Sequence, residues 1–122
     1  RNEAIRLNKL GIQQFNEGKY QEALNTFEQA LAISKQIDDK TGEGSILNNL
    51  GLVYKSLGEY PKALLHYQQA LAISKQIGNK AVEGSTLNNI GEIYRNLGKY
   101  SKALLYYQQA LAIKKQIGDK TD

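Results

Sequence analysis

Asparagine side chains recur in register along this chain and are the residues best placed to bind a partner. Asn8, Asn48 and Asn88 stand 40 positions apart, and Asn49 and Asn89 directly follow two of them. A carboxamide both donates and accepts hydrogen bonds, so a row of carboxamides suits the backbone of a bound peptide whatever its side chains. The alternative is a set of solvated amides on helix faces, where asparagine costs little stability.

Residue types that perform catalysis or bind metals are scarce. His66 is the only histidine, cysteine is absent, and Thr26 and Tyr106 stand 40 positions to either side of His66. One histidine without cysteines does not build a zinc site, so His66 is interpreted as a helix-face residue. Asp38 and Asp39 lie together where helix capping explains them without acid-base chemistry. We therefore expect no enzymatic activity, no metal and no cofactor.

A period of 40 residues organises the whole sequence. It relates glycine, tyrosine and alanine positions in sets of three: Gly11, Gly51 and Gly91; Gly18, Gly58 and Gly98; Tyr20, Tyr60 and Tyr100; Ala30, Ala70 and Ala110. A fixed period of this length indicates stacked repeats. We predict one domain over residues 1–122, with repeats at about 1–39, 40–79 and 80–119 and the start of a further repeat at 120–122.

Each repeat has the pattern of two amphipathic helices. In the second repeat, apolar or small residues recur at three- and four-residue spacing, which is one face of a helix: Leu47, Leu50, Gly51, Tyr54 and Leu57. Gly58 is suited to end that helix, and Pro61 fits the first turn of the next one. The predicted helices are 1–17, 20–37, 40–57, 60–77, 80–97 and 100–117.

The junctions between repeats carry typical capping residues. Gly78 and Gly118 are predicted to end helices, because glycine adopts the left-handed conformation without strain. Asp39, Asn79 and Asp119 follow at the positions of N-caps for the next helix. Two helices and two tight turns then account for the period.

These residues resemble a known family, the tetratricopeptide repeat. The resemblance rests on Leu47, Leu50, Gly51, Tyr54, Gly58, Tyr60, Ala63, Tyr67 and Ala70 and on their counterparts in the other two repeats. A typical repeat of this family closes with a proline near about position 34, whereas Lys35, Lys75 and Lys115 stand there and the helix is predicted to continue. The longer repeat is similar to those of kinesin light chains, G-protein signalling modulators and many bacterial tetratricopeptide proteins.

The resemblance implies an all-α fold and a function in protein interaction. It implies a right-handed superhelical solenoid of three helix-turn-helix repeats, whose first helices line a concave groove that holds an extended or helical peptide. Asparagines of this motif contact cargo peptide in kinesin light chains. The expected groove residues are Asn8, Ser45, Asn48, Asn49, Leu52, Lys55, Ser85, Asn88, Asn89, Glu92 and Arg95.

Specificity in the groove is expected where the repeats differ, at Leu52, Lys55, Glu92 and Arg95. Lys55 and Arg95 would attract an acidic peptide, although Glu92 is expected near Arg95, in an exposed ion pair of little energetic value. Chaperone-binding members of the family hold a C-terminal carboxylate with lysine, arginine and asparagine side chains. The matching positions in this chain are Asn8, Ile12, Asn49, Ser85 and Asn89. Only Asn49 fits, so no chaperone tail is expected.

Two alternatives to peptide binding stay open. The near-identical repeats would also suit a consensus-type or engineered structural scaffold. A fragment of a longer array would instead self-associate head to tail, with Tyr107 and Leu111 of helix 100–117 packing on the 1–17 helix of another molecule.

Charge and hydropathy narrow the class of partner. The net charge of +4 is spread over all repeats, whereas nucleic-acid binders concentrate lysine and arginine on one face. No window approaches the roughly 18 consecutive apolar residues of a membrane span. We expect a protein or peptide partner, no nucleic acid and no membrane. A cytoplasmic location is the expectation, and the absence of cysteine leaves the redox compartment open.

Overall fold

Six α-helices in three consecutive pairs make up the fold. The computed structural model describes residues 2–120. The helices are α1 (Asn2–Asn16), α2 (Tyr20–Gln36), α3 (Lys40–Ser56), α4 (Tyr60–Ile77), α5 (Lys80–Asn96) and α6 (Tyr100–Lys120). The bounds predicted for the first five helices are correct to within one residue at either end, and over residues 2–120 no strand occurs. Of the predicted start of a further repeat, residues 121 and 122 lie outside the described part.

Left-handed residues end most of the helices. Gly18, Gly58, Gly78 and Gly98 have φ between 71° and 77°. Asp38 takes the place of Gly78 in the first repeat with φ 57°, a conformation that aspartate tolerates better than most residues. Each reversal is short, so consecutive helices lie side by side.

Side-chain caps begin α3 and α5, the first helices of the second and third repeats, as predicted. Asp39 Oδ1 accepts a hydrogen bond from the Gly42 amide at 3.1 Å, and Asn79 Oδ1 accepts one from the Val82 amide at 3.2 Å. Each bond satisfies an amide that has no partner within its own helix.

The predicted caps at Gly118 and Asp119 are wrong, because α6 continues without interruption to Lys120. At Gly78 the chain turns into α5, which packs back on α4. Within the described residues, α6 packs only on α5. No contact with a following helix therefore favours a turn at Gly118 instead of a longer helix. Glycine permits a helix to end but does not force it.

We expect Asp39→Ala to lower the free energy of unfolding by about 1 kcal/mol, because the Gly42 amide loses its acceptor. Lys19 precedes α2 at the equivalent position without a side-chain cap. Lys19→Ala is therefore a matched control, with an expected change below about 0.5 kcal/mol. Urea denaturation of both variants checks the expectation, and equal stabilities would contradict it.

The three pairs stack into a curved array with a distinct inner side. Every helix packs on the next one along the chain, and α1 also touches α3 as α3 touches α5. Among the described helices, α2, α4 and α6 do not touch one another. The first helices of the repeats therefore lie closer together than the second helices. The side formed by α1, α3 and α5 is called the inner face below.

An aromatic ring on each second helix fills the same place in each repeat. Phe27 and Tyr67 are fully buried, and a Cβ atom added to Gly11 or Gly51 would lie 2.5 Å from a carbon of the facing ring. These glycines are therefore required by the close approach of the two helices in a pair. The packing fixes how far each first helix stands from its partner and so sets the shape of the inner face.

Candidate peptide-binding surface

Two of the inner-face asparagines bond to each other across the first two repeats. Asn49 Nδ2 donates to Asn8 Oδ1 at 2.8 Å. Both side chains are half-buried between α1 and α3. The bond leaves Asn49 Oδ1 and Asn8 Nδ2 without a partner among the described residues. These two amides therefore join neighbouring repeats while keeping one free acceptor and one free donor.

The next asparagine makes a different bond. Asn48 Nδ2 donates to Thr86 Oγ1 at 2.8 Å, and the Thr86 hydroxyl contacts the Val82 carbonyl oxygen at 2.8 Å. Thr86 is buried and stands where the second repeat has Ile46, so only the third repeat offers a hydroxyl at this place. Sequence reasoning missed Thr86, although the exchange of isoleucine for threonine within otherwise matching repeats was a usable signal.

Asn88, Asn89 and Arg95 of the third repeat are predicted groove residues whose side chains are unengaged within the described part of the chain. Asn88 and Arg95 are exposed, and Asn89 is half-buried. None of these three has a side-chain hydrogen bond or ion pair with any residue that the structure describes. Ser45 and Ser85 are likewise exposed. The predicted row of amides is therefore partly engaged in the first two repeats and open in the third.

The inner face carries an ion pair that was predicted between other partners. Lys55 Nζ of α3 lies 2.6 Å from Glu92 Oε1 of α5, and both side chains are half-buried. Glu92 therefore pairs with Lys55 and not with Arg95, because the side-by-side placement of α3 and α5 brings the lysine across the repeat boundary. The charge of Lys55 is balanced inside the protein, which leaves Arg95 as the unpaired cation of this set.

An apolar recess lies on the inner face between the first two repeats, with a volume of about 170 Å³. We call it the α1–α3 notch. It is lined by Ile12, Phe15, Asn16, Phe27, Asn49 and Leu52. Ile12 is 40% exposed at its wall although it is a large apolar residue. Apolar walls with an amide at the edge suit one apolar side chain of a ligand.

Sequence reasoning missed the α1–α3 notch, although the repeats differ at two of its positions. Forty residues along the chain, Lys55 replaces Phe15 and Glu92 replaces Leu52. The Lys55–Glu92 pair thus occupies between α3 and α5 the positions that form apolar walls between α1 and α3. The two repeat boundaries consequently offer a partner different chemistry.

A second and larger recess lies at the far end of the array. It is a groove of about 750 Å³ between α5 and α6, called the α5–α6 groove below. Its lining includes Ser85, Asn88 and Asn89 from α5 and Tyr107, Leu111 and Lys114 from α6. The two residues predicted to mediate self-association, Tyr107 and Leu111, therefore lie together in one groove.

The comparisons with known proteins agree with this geometry. The sequence profile of the tetratricopeptide repeat family matches residues 3–76 and 66–116. The chain belongs to this family. Tetratricopeptide repeat domains serve as protein interaction modules and are generally non-catalytic scaffolds. The predicted fold class, a right-handed all-α solenoid of three helix-turn-helix repeats, is confirmed.

Solved tetratricopeptide structures superpose closely on the chain. The domain of Arabidopsis FLU is 25% identical with a TM-score of 0.88, over 94% of this chain and 97% of that one. BtubC (BKLC) from P. vanneervenii is 25% identical with a TM-score of 0.87, and the match covers 94% of this chain and 48% of that one. Aspartyl phosphate phosphatase F from Bacillus subtilis, 22% identical with a TM-score of 0.89, shares the fold over 95% of this chain and 30% of its own. No curated protein sequence matches significantly.

The remaining features of this tetratricopeptide repeat chain are those of helix surfaces. His66 packs beside Tyr54 in a tilted arrangement with ring centroids 5.0 Å apart, and its Nδ1 lies 2.8 Å from the Lys62 carbonyl oxygen. Among the side chains that the structure describes, no group of three or more His, Cys, Asp or Glu residues is arranged to hold a metal. None of the helices over the described range has the length and apolar character needed to cross a bilayer.

Proposed function

We propose that the inner face binds an extended or helical segment of a partner protein and holds it by one apolar side chain in the α1–α3 notch. The observation that carries this proposal is an apolar recess of about 170 Å³ directly beside the hydrogen-bonded amides of Asn8 and Asn49. Binding energy in protein interfaces concentrates in a few anchors that fill desolvated pockets. The notch supplies such a pocket, and the amides supply hydrogen bonds to the backbone on either side of it.

The size and lining of the notch favour a medium-sized apolar anchor. An apolar protein cavity of about 150 Å³ accepts a benzene ring, so a recess of this volume accepts one leucine, isoleucine, methionine or phenylalanine side chain. Asn49 lines the notch, and its Oδ1 atom, which has no partner among the described residues, is available to accept a hydrogen bond from a peptide amide. The partner segment therefore needs one apolar residue with an unobstructed backbone beside it.

The charges along the inner face give the bound segment a direction. Lys55 is balanced by Glu92, whereas the exposed Arg95 in the third repeat has no partner among the described residues. An acidic residue of the segment is accordingly favoured toward α5, while its apolar anchor occupies the notch between α1 and α3. We assign no catalytic step to this surface, and the module acts through binding alone.

Head-to-tail self-association stays a second prediction. Exposure of Leu111 in the α5–α6 groove favours it, because no other described residue covers this apolar side chain. A scaffold without a ligand stays the other alternative. Sedimentation velocity over a range of concentrations distinguishes self-association from peptide binding and from a ligand-free scaffold. A strictly monomeric chain would contradict self-association.

A random peptide library displayed on phage tests the proposal when it is selected against the full chain. Peptides that bind are expected to share one large apolar residue. They are then titrated against Ile12→Lys, which places a charge at the exposed wall of the notch. We expect affinity to fall at least about tenfold, as for an anchor pocket.

Ile37→Lys is the matched control, because Ile37 is also partly exposed, at 45%, but does not line the notch. Its affinity is expected to equal that of the parent chain, and circular dichroism is expected to show equal helicity for both variants. A selection without an apolar consensus, or equal affinities for the two variants, would overturn the proposed binding mode.

A further inference from the structure

One face of α6 has leucines at the same repeat positions as a face of α2 that is buried in this molecule. Leu31 of α2 is 8% exposed, whereas its equivalent Leu111 of α6 is 52% exposed. Leu24 and Leu104 form a second such pair, with 8% and 57% exposed. The α6 residues therefore have the same register as the covered α2 residues, but no helix within residues 2–120 covers them.

The helices that cover the equivalent surfaces share a pattern of contacting residues. The buried residues of α3 include Glu43, Ile46, Leu50 and Val53, and the last three share a core cluster with Leu24, Phe27 and Leu31 of α2. The equivalents in α5 are Glu83, Thr86, Ile90 and Ile93. All eight are less than 9% exposed. An acidic residue in the first turn is thus followed by mainly apolar residues three, seven and ten positions later. The molecule itself shows twice which kind of helix fits this surface.

One position of the α5–α6 groove differs in charge from its two covered counterparts. Ser34 and Ser74 are fully buried, and Lys114 stands at the same place in α6. A Cβ atom on Gly42 would lie 3.3 Å from Ser34 Oγ, so this position adjoins the first turn of the covering helix. An ammonium group there favours an acidic side chain in that turn.

We propose that the α5–α6 groove binds an amphipathic α-helix of a partner protein, with an acidic residue in its first turn near Lys114 and apolar residues three, seven and ten positions further on. The helix lies where α3 lies on α2 and where α5 lies on α4. The site is distinct from the α1–α3 notch and adds a second binding surface to the inner-face function. A helix that lays its apolar face in a groove is a common mode of peptide recognition.

A second copy of the chain is a poorer occupant than such a helix. Its α1 would place Arg6 where α3 has Ile46, and Gln13 where α3 has Val53. Arg6 is exposed and holds Glu3 through two hydrogen bonds of 2.8 and 2.9 Å. Burying the Arg6 guanidinium and the Gln13 amide against Leu111 would remove them from water without new partners. Head-to-tail association is therefore an outcome to be tested and not the proposed occupant.

The test uses a peptide with the sequence of residues 40–57, which carries the α3 pattern. Isolated helices of this length are marginal in water, so the peptide is stapled through positions 41 and 45 and its helicity is checked by circular dichroism. Thr41 and Ser45 are exposed in the protein, so the staple avoids the packed face. Fluorescence anisotropy then measures binding to the full chain.

Leu111→Glu is expected to weaken binding at least about tenfold, because it places a charge under the apolar face of the helix. Leu105→Glu is the matched control. Leu105 is as exposed as Leu111, at 53%, but its equivalent Leu65 is also 52% exposed, so no helix covers that position in any repeat. A peptide with Ile46→Arg and Val53→Gln, which imitates α1, is expected to lose binding, and amide shift changes in the chain are expected in α5 and α6.

Three results would overturn the proposal. The first is failure of the helical peptide to bind the parent chain, and the second is equal binding of the peptide to Leu111→Glu and Leu105→Glu. The third is a concentration-dependent oligomer of the chain alone that Leu111→Glu abolishes, which would make a second copy the occupant. Peptides selected on the α1–α3 notch are expected to bind Leu111→Glu normally, so failure of this proposal is distinguishable from failure of the proposed function.

Discussion

Tyr67→Ala is expected to lower the free energy of unfolding by about 3–5 kcal/mol, the range for removing a buried aromatic ring. Tyr67 has no exposed surface and packs with Ala63, Ile90 and Ile93, so its ring joins the second repeat to the third. The ring also fills the space left by Gly51. Its loss leaves a cavity at the centre of the array. Since whole domains are stable by about 5–15 kcal/mol, urea denaturation should show a large shift of the midpoint.

Tyr67→Phe separates the ring from its hydroxyl. The hydroxyl is buried without a hydrogen-bond partner among the described residues, and Phe27 fills the equivalent place in the first repeat without one. An unsatisfied buried group of this kind costs about 1–3 kcal/mol. We therefore expect Tyr67→Phe to be as stable as the parent chain or more stable by about 1 kcal/mol. A loss of more than about 1 kcal/mol would show that the hydroxyl is satisfied, for instance by bound water.

The same substitution predicts a change in pH dependence. Burial, together with the negative charge of Glu92, raises the pKa of the Tyr67 hydroxyl above its ordinary value. The unfolded chain therefore ionises Tyr67 first, above about pH 10, while the folded chain keeps it neutral. The stability that the neutral Tyr67 hydroxyl contributes is therefore fully present below about pH 10 and decreases as the pH rises further. Tyr67→Phe should show a smaller loss between neutral and strongly alkaline pH than the parent chain shows.

Exchanging two residues between the repeat boundaries should abolish the main anchor site. Phe15→Lys with Leu52→Glu installs at the α1–α3 notch the residue types of the Lys55–Glu92 pair. Peptides selected on the parent chain should then lose about 2 kcal/mol of binding free energy or more, roughly a thirtyfold loss of affinity. The formal net charge of the chain is unchanged by this exchange, so general electrostatic attraction does not explain the loss. Isothermal titration calorimetry measures it.

The reverse exchange is expected to create a second apolar binding site. Lys55→Phe with Glu92→Leu gives the second boundary the apolar residues of the first, where Tyr67 differs from Phe27 only by its hydroxyl. We expect this variant to keep the original affinity and to bind peptides with a second apolar residue more tightly than the parent does. Unchanged affinity in both exchanges, with helicity preserved, would show that the notch does not anchor the peptide.

The helices and their order were predictable because the signals are local. The spacing of Leu47, Leu50 and Tyr54 defines one helix face, and Gly58 and Pro61 mark the boundary between two helices. The repetition of these signals every 40 residues then predicts the stacking of the pairs. Gly118 was misleading because its effect depends on a neighbouring helix, which is not a local property.

The side-chain pairs of the inner face were not predictable, because they form between repeats. Asn49 bonds to Asn8, and Lys55 bonds to Glu92, at separations set by the angle at which one repeat stacks on the next. The α1–α3 notch likewise depends on residues from three helices. The resemblance to tetratricopeptide repeats implied which helices form the inner face, whereas the contacts between its side chains depend on how the repeats are placed side by side.

A crystal structure of the chain with a peptide selected on its inner face tests anchoring in the α1–α3 notch. One apolar side chain of the peptide is expected between Ile12, Phe27 and Leu52, with a peptide amide donating to Asn49 Oδ1. A peptide that leaves the α1–α3 notch empty, whether it lies elsewhere on the inner face or along the outer helices, would contradict the proposed binding mode.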